Sequence, residues 1–138
     1  IFFFIINSKL TPMVGLEKMC FVGTVCSFCT VFIFFLNNNL GENGPLILSL
    51  ICVLFGCSNG FAVANSMTGA INSSKLNKGA ASGLMGAFQV GSGGLAGFLI
   101  IYFGGAENFN ICLFALFIMS GISIISSYLV LYRKKIII

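Results

Sequence analysis

Charge is scarce in this chain, and histidine and tryptophan are absent. Of the 138 residues, 7% are Asp, Glu, Lys or Arg, against roughly 25% in a typical globular domain. Hydrophobic residues make up 58%, and the mean hydropathy is +1.08. Seven basic and three acidic side chains are too few to cover a soluble domain of this size, and so apolar a chain is not disordered. The composition therefore predicts an integral membrane protein.

The groups on which most soluble enzymes depend are also missing. The chain has no histidine, no carboxylate pair near a Ser or Cys, and no glycine-rich phosphate loop ending in Lys-Ser or Lys-Thr. We therefore expect neither an enzyme nor a bound cofactor. The net charge of +4 is explained below by membrane topology, so no nucleic-acid partner is expected.

The cysteines predict neither a metal site nor a disulfide framework. All six lie within apolar runs, where Cys behaves as a small hydrophobic residue. Cys26 and Cys29 have the CxxC spacing, but a structural zinc site needs four ligands, and neither a second such pair nor a histidine is present. The cysteines are accordingly interpreted as packing residues.

Charged and turn-forming residues divide the rest of the chain into apolar runs. The first run, 1–6, is much shorter than the ~20 residues that cross a bilayer, and no initiator Met precedes it. We expect it to be the end of a truncated helix, which would make the chain a fragment of a longer protein. Four runs of spanning length follow, at 19–36, 45–71, 79–103 and 109–132. They are continuous, whereas β-barrel strands alternate over ~10 residues, so the predicted fold class is an all-α membrane protein.

The basic residues predict the orientation of these spans. All seven Lys and Arg lie in the first loop, the third loop and the C-terminal tail, while the second and fourth loops contain Glu42 and Glu107. Because successive loops lie on opposite sides of the membrane, the positive-inside rule places the basic loops and the C-terminus in the cytoplasm.

The third span carries an unusual number of small residues. At 100° per residue, five glycines fall within a narrow stripe. They are Gly79, Gly83, Gly86, Gly93 and Gly97, the last two forming a GxxxG pair. Such a stripe lets another helix approach closely. The sequence leaves open whether that interface is static or moves.

Several uncharged polar residues fall within the spans. Gln89 and Ser82 lie on one edge of the glycine stripe. In the second span, Asn65 shares a face with Ser58, Ala62 and Gly69, and Asn59 and Ser66 lie on the adjoining edge. An amide in hydrocarbon needs a partner, so these residues must face protein or water. Asn65, Gln89, Ser82 and Asn59 are therefore candidates for a substrate pathway, and interhelical hydrogen bonding is the alternative.

Two neighbouring segments resemble the major facilitator superfamily, and within it the drug efflux subfamily that confers bicyclomycin and chloramphenicol resistance. The first segment is 60–67, where Ala64 stands in place of the family's usual Pro, and the second, 79–89, is more specific. The second carries Gly79, Ala81, Ser82, Leu84, Gly86 and Gln89. The stretch from Lys9 to Met19 resembles the family's cytoplasmic connection into its ninth helix.

This resemblance covers nearly the whole chain and implies the end of helix eight and helices nine to twelve of a twelve-helix fold. It further implies export of drugs or other small molecules in exchange for protons, across a bacterial inner membrane. The proton-coupling acid would lie in N-terminal helices that this sequence does not contain. The expected partners are those helices, the lipid bilayer, protons and a small-molecule substrate. A small, self-contained four-helix protein with a packing or assembly role is the alternative hypothesis.

Overall fold

A computed structural model describes residues 2–41, 44–74 and 77–137, and these residues form five α-helices without strands. The helices are α1 (Phe2–Val14), α2 (Leu16–Leu40), α3 (Pro45–Ser73), α4 (Lys78–Tyr102) and α5 (Phe109–Ile137). Two of the loop charges used above, Glu42 and Lys75, lie outside the described residues, as do the side chains of Lys134 and Lys135.

Four of these helices are long and apolar enough to cross a membrane: α2, α3, α4 and α5 up to Arg133. The predicted all-α fold with four apolar helices of spanning length is therefore confirmed. Pro45 lies in the first turn of α3, where its missing N–H leaves no bond unmade. At the fourth loop, Gly104 has a φ of +86° and permits the tight turn that the sequence predicts between α4 and α5.

The polar stretch 7–18, expected to be a connection, is helical except at one residue. α1 continues to Val14, and its polar side chains find partners there, as Thr11 Oγ1 does by donating to the Asn7 carbonyl oxygen at 2.7 Å. The break falls at Gly15, whose φ of +96° favours glycine, and α2 begins immediately after it. The expectation of a loop here is corrected accordingly.

α2 is the central helix of the bundle and packs against both α3 and α5. Its buried face consists mostly of small and polar residues. They are Met19, Gly23, Thr24, Ser27, Thr30 and Val31. An ideal Cβ built on Gly23 would lie 2.6 Å from the backbone nitrogen of Ala62, so α2 and α3 are in backbone contact at this level.

Aromatic rings join α2 to α5. The Phe117 ring lies 5.0 Å from that of Phe28, 6.3 Å from Phe32 and 6.2 Å from Phe35, measured between centroids. At the far end of the pair, Asn38 Nδ2 donates to Asn110 Oδ1 at 2.7 Å. These contacts fix α2 and α5 as antiparallel neighbours.

α4 lies at the edge of the bundle. It makes small contacts with α3 and α5, none of its residues is buried, and it does not reach α2 within the described chain. Its apolar surface is therefore open on most sides.

Candidate functional site

A cleft of about 750 Å³ lies between α2, α3 and α5. α2 contributes Leu16, Glu17, Cys20 and Thr24; α3 contributes Asn59, Ala62, Val63, Asn65, Ser66, Gly69, Ala70 and Ser73; α5 contributes Met119, Ile122, Ser123, Ser126, Ser127 and Val130. The volume falls within the range of about 300–1,000 Å³ typical of small-molecule sites. Half of the eighteen lining residues carry a polar side chain, which is unusual for helices of such apolar composition.

The cleft runs from one end of the bundle to the middle of the membrane spans. Its outer end is lined by Leu16 and Ser73, which are the first residue of α2 and the last of α3. Its inner end is lined by Asn59, the midpoint of α3, and by Met119 near the middle of α5. At ~1.5 Å per residue, the α3 wall is about 21 Å long. The outer end is the end at which the basic residues lie.

Some of the polar groups in the cleft hold the helices together. Thr24 Oγ1 and Ser127 Oγ lie 2.8 Å apart and are buried, so they link α2 to α5. Ser66 and Ser73 each donate to a carbonyl oxygen one turn earlier in α3. These hydroxyls are already hydrogen-bonded and do not need a ligand.

The Asn65 side chain uses both of its N–H donors and its carbonyl oxygen in hydrogen bonds within the chain. Its side chain is 3% exposed. Nδ2 donates to Asn7 Oδ1 at 2.9 Å and to the Phe61 carbonyl oxygen at 2.8 Å. Oδ1 lies 3.1 Å from Thr11 Oγ1. Asn65 therefore joins α3 to α1, which is the interhelical hydrogen bonding that the sequence left as an alternative to a substrate role.

Three polar side chains on the walls of the cleft have no hydrogen-bond partner among the described residues: Asn59 on α3, and Ser123 and Ser126 on α5. All three are exposed within the chain. An amide and a hydroxyl both donate and accept, so two facing walls of the cleft offer unused donors and acceptors at the same level. Of the predicted site residues, Asn59 is the one best placed to meet a bound molecule.

The other two predicted pathway residues lie on α4, away from the cleft. Gln89 is exposed, and its side chain has no partner among the described residues. Ser82 is half-buried. The structure thus brings Asn59 and Asn65 together in one cleft and leaves Gln89 and Ser82 on a separate surface. A pathway role for the α4 pair stays a prediction.

The five glycines predicted to pack a helix have no neighbour within the described chain. A Cβ built on Gly79, Gly83, Gly86, Gly93 or Gly97 would have nothing within 4 Å. The prediction of close packing along this stripe stays open, because its partner would have to come from outside the described residues. Among the described glycines, Gly23 packs closely against the backbone of another helix, and Gly105 packs closely within the turn between α4 and α5.

Sequence reasoning missed several residues of the site. Asn7 and Thr11 were assigned to a loop, although their spacing of four residues is that of one helix face. Ser123, Ser126 and Ser127 were not singled out, yet their i, i+3, i+4 spacing marks one face of α5. This spacing was the available signal for the α5 wall.

The described residues contain no cluster of three or more His, Cys, Asp or Glu that could hold a metal ion. The six cysteines are free thiols. Cys20 lines the cleft, with Sγ 3.6 Å from the Ala62 carbonyl oxygen, while Cys52 is exposed on α3 outside it. Glu17 is the charged side chain among the lining residues that the structure describes, and it lies at the outer end.

Comparison with known protein families, with curated proteins and with solved structures finds no match.

Proposed function

We propose that this chain is part of a membrane transporter that exports drugs or other small molecules in exchange for protons. The observation that supports this proposal is the cleft. It places amide and hydroxyl groups that lack a hydrogen-bond partner among the described residues near the middle of apolar helices. Placing a polar group at that depth costs free energy unless it contacts protein, water or a ligand. Transporters hold their substrates near the same level of the bilayer.

The proposal needs more helices than the chain provides. Alternating access works by movement of one helix bundle against another around a central site. The open glycine face of α4 provides a surface on which a second bundle could pack closely and slide. No Asp, Glu, Lys or Arg lies within the four predicted spans, so a proton-coupling acid would come from the other helices. This agrees with the resemblance to helices eight to twelve of the major facilitator superfamily.

The proposed location is a bacterial inner membrane, with the C-terminus in the cytoplasm. The four apolar helices support a membrane location. The seven-to-none division of basic residues between alternate loops supports the orientation. On this arrangement the cleft opens towards the cytoplasm, the side from which an exporter takes up its substrate.

A panel of drug tolerances tests the proposal. The complete open reading frame that contains this chain is expressed in a drug-sensitive bacterium, and Asn59→Ala is compared with Asn39→Ala. Asn39 is an exposed amide at the end of α2, outside the cleft. Asn59→Ala should change the relative tolerance to different drugs at unchanged membrane abundance, whereas Asn39→Ala should not. If drug tolerance does not rise above that of cells carrying the empty vector, the transport proposal is contradicted.

A packing or assembly subunit is the second candidate, and the open face of α4 favours it equally. The length of the reading frame separates the two. A transporter requires roughly 250 further apolar-rich residues upstream, for a twelve-helix length of about 400. A start codon immediately upstream would favour the small protein.

A further inference from the structure

We propose that the cleft between α2, α3 and α5 is a water-filled binding site for a neutral amphipathic molecule bearing hydroxyl or amide groups, which enters from the side of the basic residues. We infer the binding site and the class of its ligand from the geometry of the cleft alone. Only the description of the ligand as a transported substrate rests on the proposed function.

The unused polar groups define what the ligand must offer. Asn59 provides two N–H donors and a carbonyl acceptor, and Ser123 and Ser126 each provide a hydroxyl. A lipid chain in the cleft would leave all of these groups without partners. Water, or a ligand with several small hydrogen-bonding groups, would satisfy them.

The charge distribution excludes an ionic group at the inner end. Among the lining residues that the structure describes, the carboxylate of Glu17 is at the outer end, and the inner end has amide and hydroxyl groups only. A charged group brought to the inner end would lose hydration without gaining an opposite charge. The part of the ligand that reaches Asn59 is therefore neutral.

Apolar side chains between the polar ones complete the description of the ligand. Val63 on α3 and Met119 and Ile122 on α5 line the same cleft, and Met adapts readily to different apolar shapes. They provide a surface for an alkyl or aromatic portion. A volume of about 750 Å³ admits both portions of a small molecule together.

Access to water is tested by thiol labelling in the complete protein with its native cysteines replaced by alanine. A membrane-impermeant methanethiosulfonate carrying a neutral sugar is added to vesicles of either orientation. Ser126→Cys lies in the cleft, and Ile125→Cys, the adjacent residue, is 63% exposed and does not line it. Lys78→Cys, at the start of α4, defines the basic side.

Ser126→Cys should react only from the side on which Lys78→Cys reacts, and Ile125→Cys should react from neither side. If the cysteine-free protein does not assemble, the native protein is labelled and analysed by mass spectrometry. Cys20, in the cleft, should then be modified and Cys52, outside it, should not. Absence of labelling at Ser126→Cys, or at Cys20, would show that lipid or another helix fills the cleft and would overturn the proposal.

The ligand class is tested by protection of Ser126→Cys from the same reagent. The probes are octyl glucoside, octyltrimethylammonium and octyl sulfate, at equal concentrations below micelle formation. Octyl glucoside should slow the labelling, and the two charged probes should not. Asn59→Leu should weaken that protection about fivefold, the effect of losing one neutral hydrogen bond. Equal protection by all three probes, or by none, would refute the ligand class. Labelling and protection without any drug export would leave the site standing and remove the transport proposal.

Discussion

At the level of single residues, Gly23 is the position at which the backbones of α2 and α3 come into contact. A Cβ at this position would lie 2.6 Å from the Ala62 nitrogen and 3.0 Å from the Phe61 Cβ, so either helix would have to move to accommodate it. In a membrane, where hydrophobic burial drives helix association weakly, such close contact provides much of the attraction between helices.

Gly23→Ala should therefore destabilise the protein by about 1–3 kcal/mol, as overpacking of a tight core does. Gly56→Ala is the matched control, since nothing lies within 4 Å of a Cβ there and alanine favours a helix. Both are measured by unfolding in sodium dodecyl sulfate, followed by circular dichroism. Equal stability of the two variants would refute the close packing of α2 on α3.

The second residue-scale feature is the cluster of Asn7, Thr11 and Asn65. It joins α1 to α3 through side chains that are themselves largely buried. Removing Asn65 leaves Asn7 Oδ1 and Thr11 Oγ1 without this partner. The loss is expected to be structural, affecting membrane abundance and every activity together.

A double-mutant cycle separates this bond from other effects of substitution. Asn7→Ala and Asn65→Ala should each destabilise by roughly 0.6–2 kcal/mol, the range for hydrogen bonds between membrane helices. Their combination should cost less than the sum, because both variants remove the same bond. Strict additivity in the unfolding assay would show that the two amides do not interact. A change in drug preference at full abundance with Asn65→Ala would restore its predicted substrate role.

At the level of helices, Phe117 makes three of the five ring contacts that the described residues form between α2 and α5. Phe117 contacts three rings of α2, whereas Phe114, one turn earlier on α5, is 59% exposed. Ring pairs contribute roughly 0.5–1.5 kcal/mol each beyond the burial of their area. Replacing Phe117 by Ala is therefore expected to weaken the contact between α2 and α5 much more than replacing Phe114 by Ala.

Phe117→Ala should destabilise the bundle by about 2 kcal/mol or more, and Phe114→Ala by much less, because only Phe117 loses three ring contacts. Resistance of the α2–α5 pair to limited proteolysis in detergent provides the measurement. Similar sensitivity of both variants would show that the rings do not hold α2 and α5 together.

Helix positions were predictable from the sequence, but helix neighbours were not. Runs without charge, with Pro45 and Gly104 at their boundaries, predict the four spans because length and hydropathy alone decide whether a helix crosses a bilayer. The helix α1 was partly missed, since its polar residues resemble a loop until their i, i+4 bonding is considered.

The candidate site was recovered in part. Of the four residues predicted to share one face of the second span, Ser58, Ala62 and Asn65 are buried and Gly69 is half-buried. Their partners could not be predicted, since pairing Asn65 with Asn7 or Thr24 with Ser127 requires the relative depth of separate helices. The many glycines of α4 suggested a packing surface there, whereas nothing in the sequence marks Gly23. Gly23 is important because it packs directly against the backbone of Ala62.

At the level of the whole molecule, orientation in the membrane follows from the loops. In the sequence, all seven Lys and Arg lie in the segments 7–18 and 72–78 and in the C-terminal tail, whereas the intervening loops contain Glu42 and Glu107. A reporter enzyme that works only in the cytoplasm should be active when fused after Lys78 or Lys135, because the positive-inside rule places both there. A fusion after Asn43, in the second loop, should be inactive. Activity of the Asn43 fusion would reverse or refute the arrangement.

Transport itself is the central claim, and a gradient-driven uptake assay tests it most directly. Everted membrane vesicles containing the complete protein are energised to acidify their interior, and accumulation of a fluorescent drug is followed before and after a protonophore is added. We expect accumulation that collapses when the gradient does, with Asn59→Leu changing the preference between drugs at equal protein abundance. Accumulation no greater than in vesicles without the protein, for every drug tested, would contradict the account.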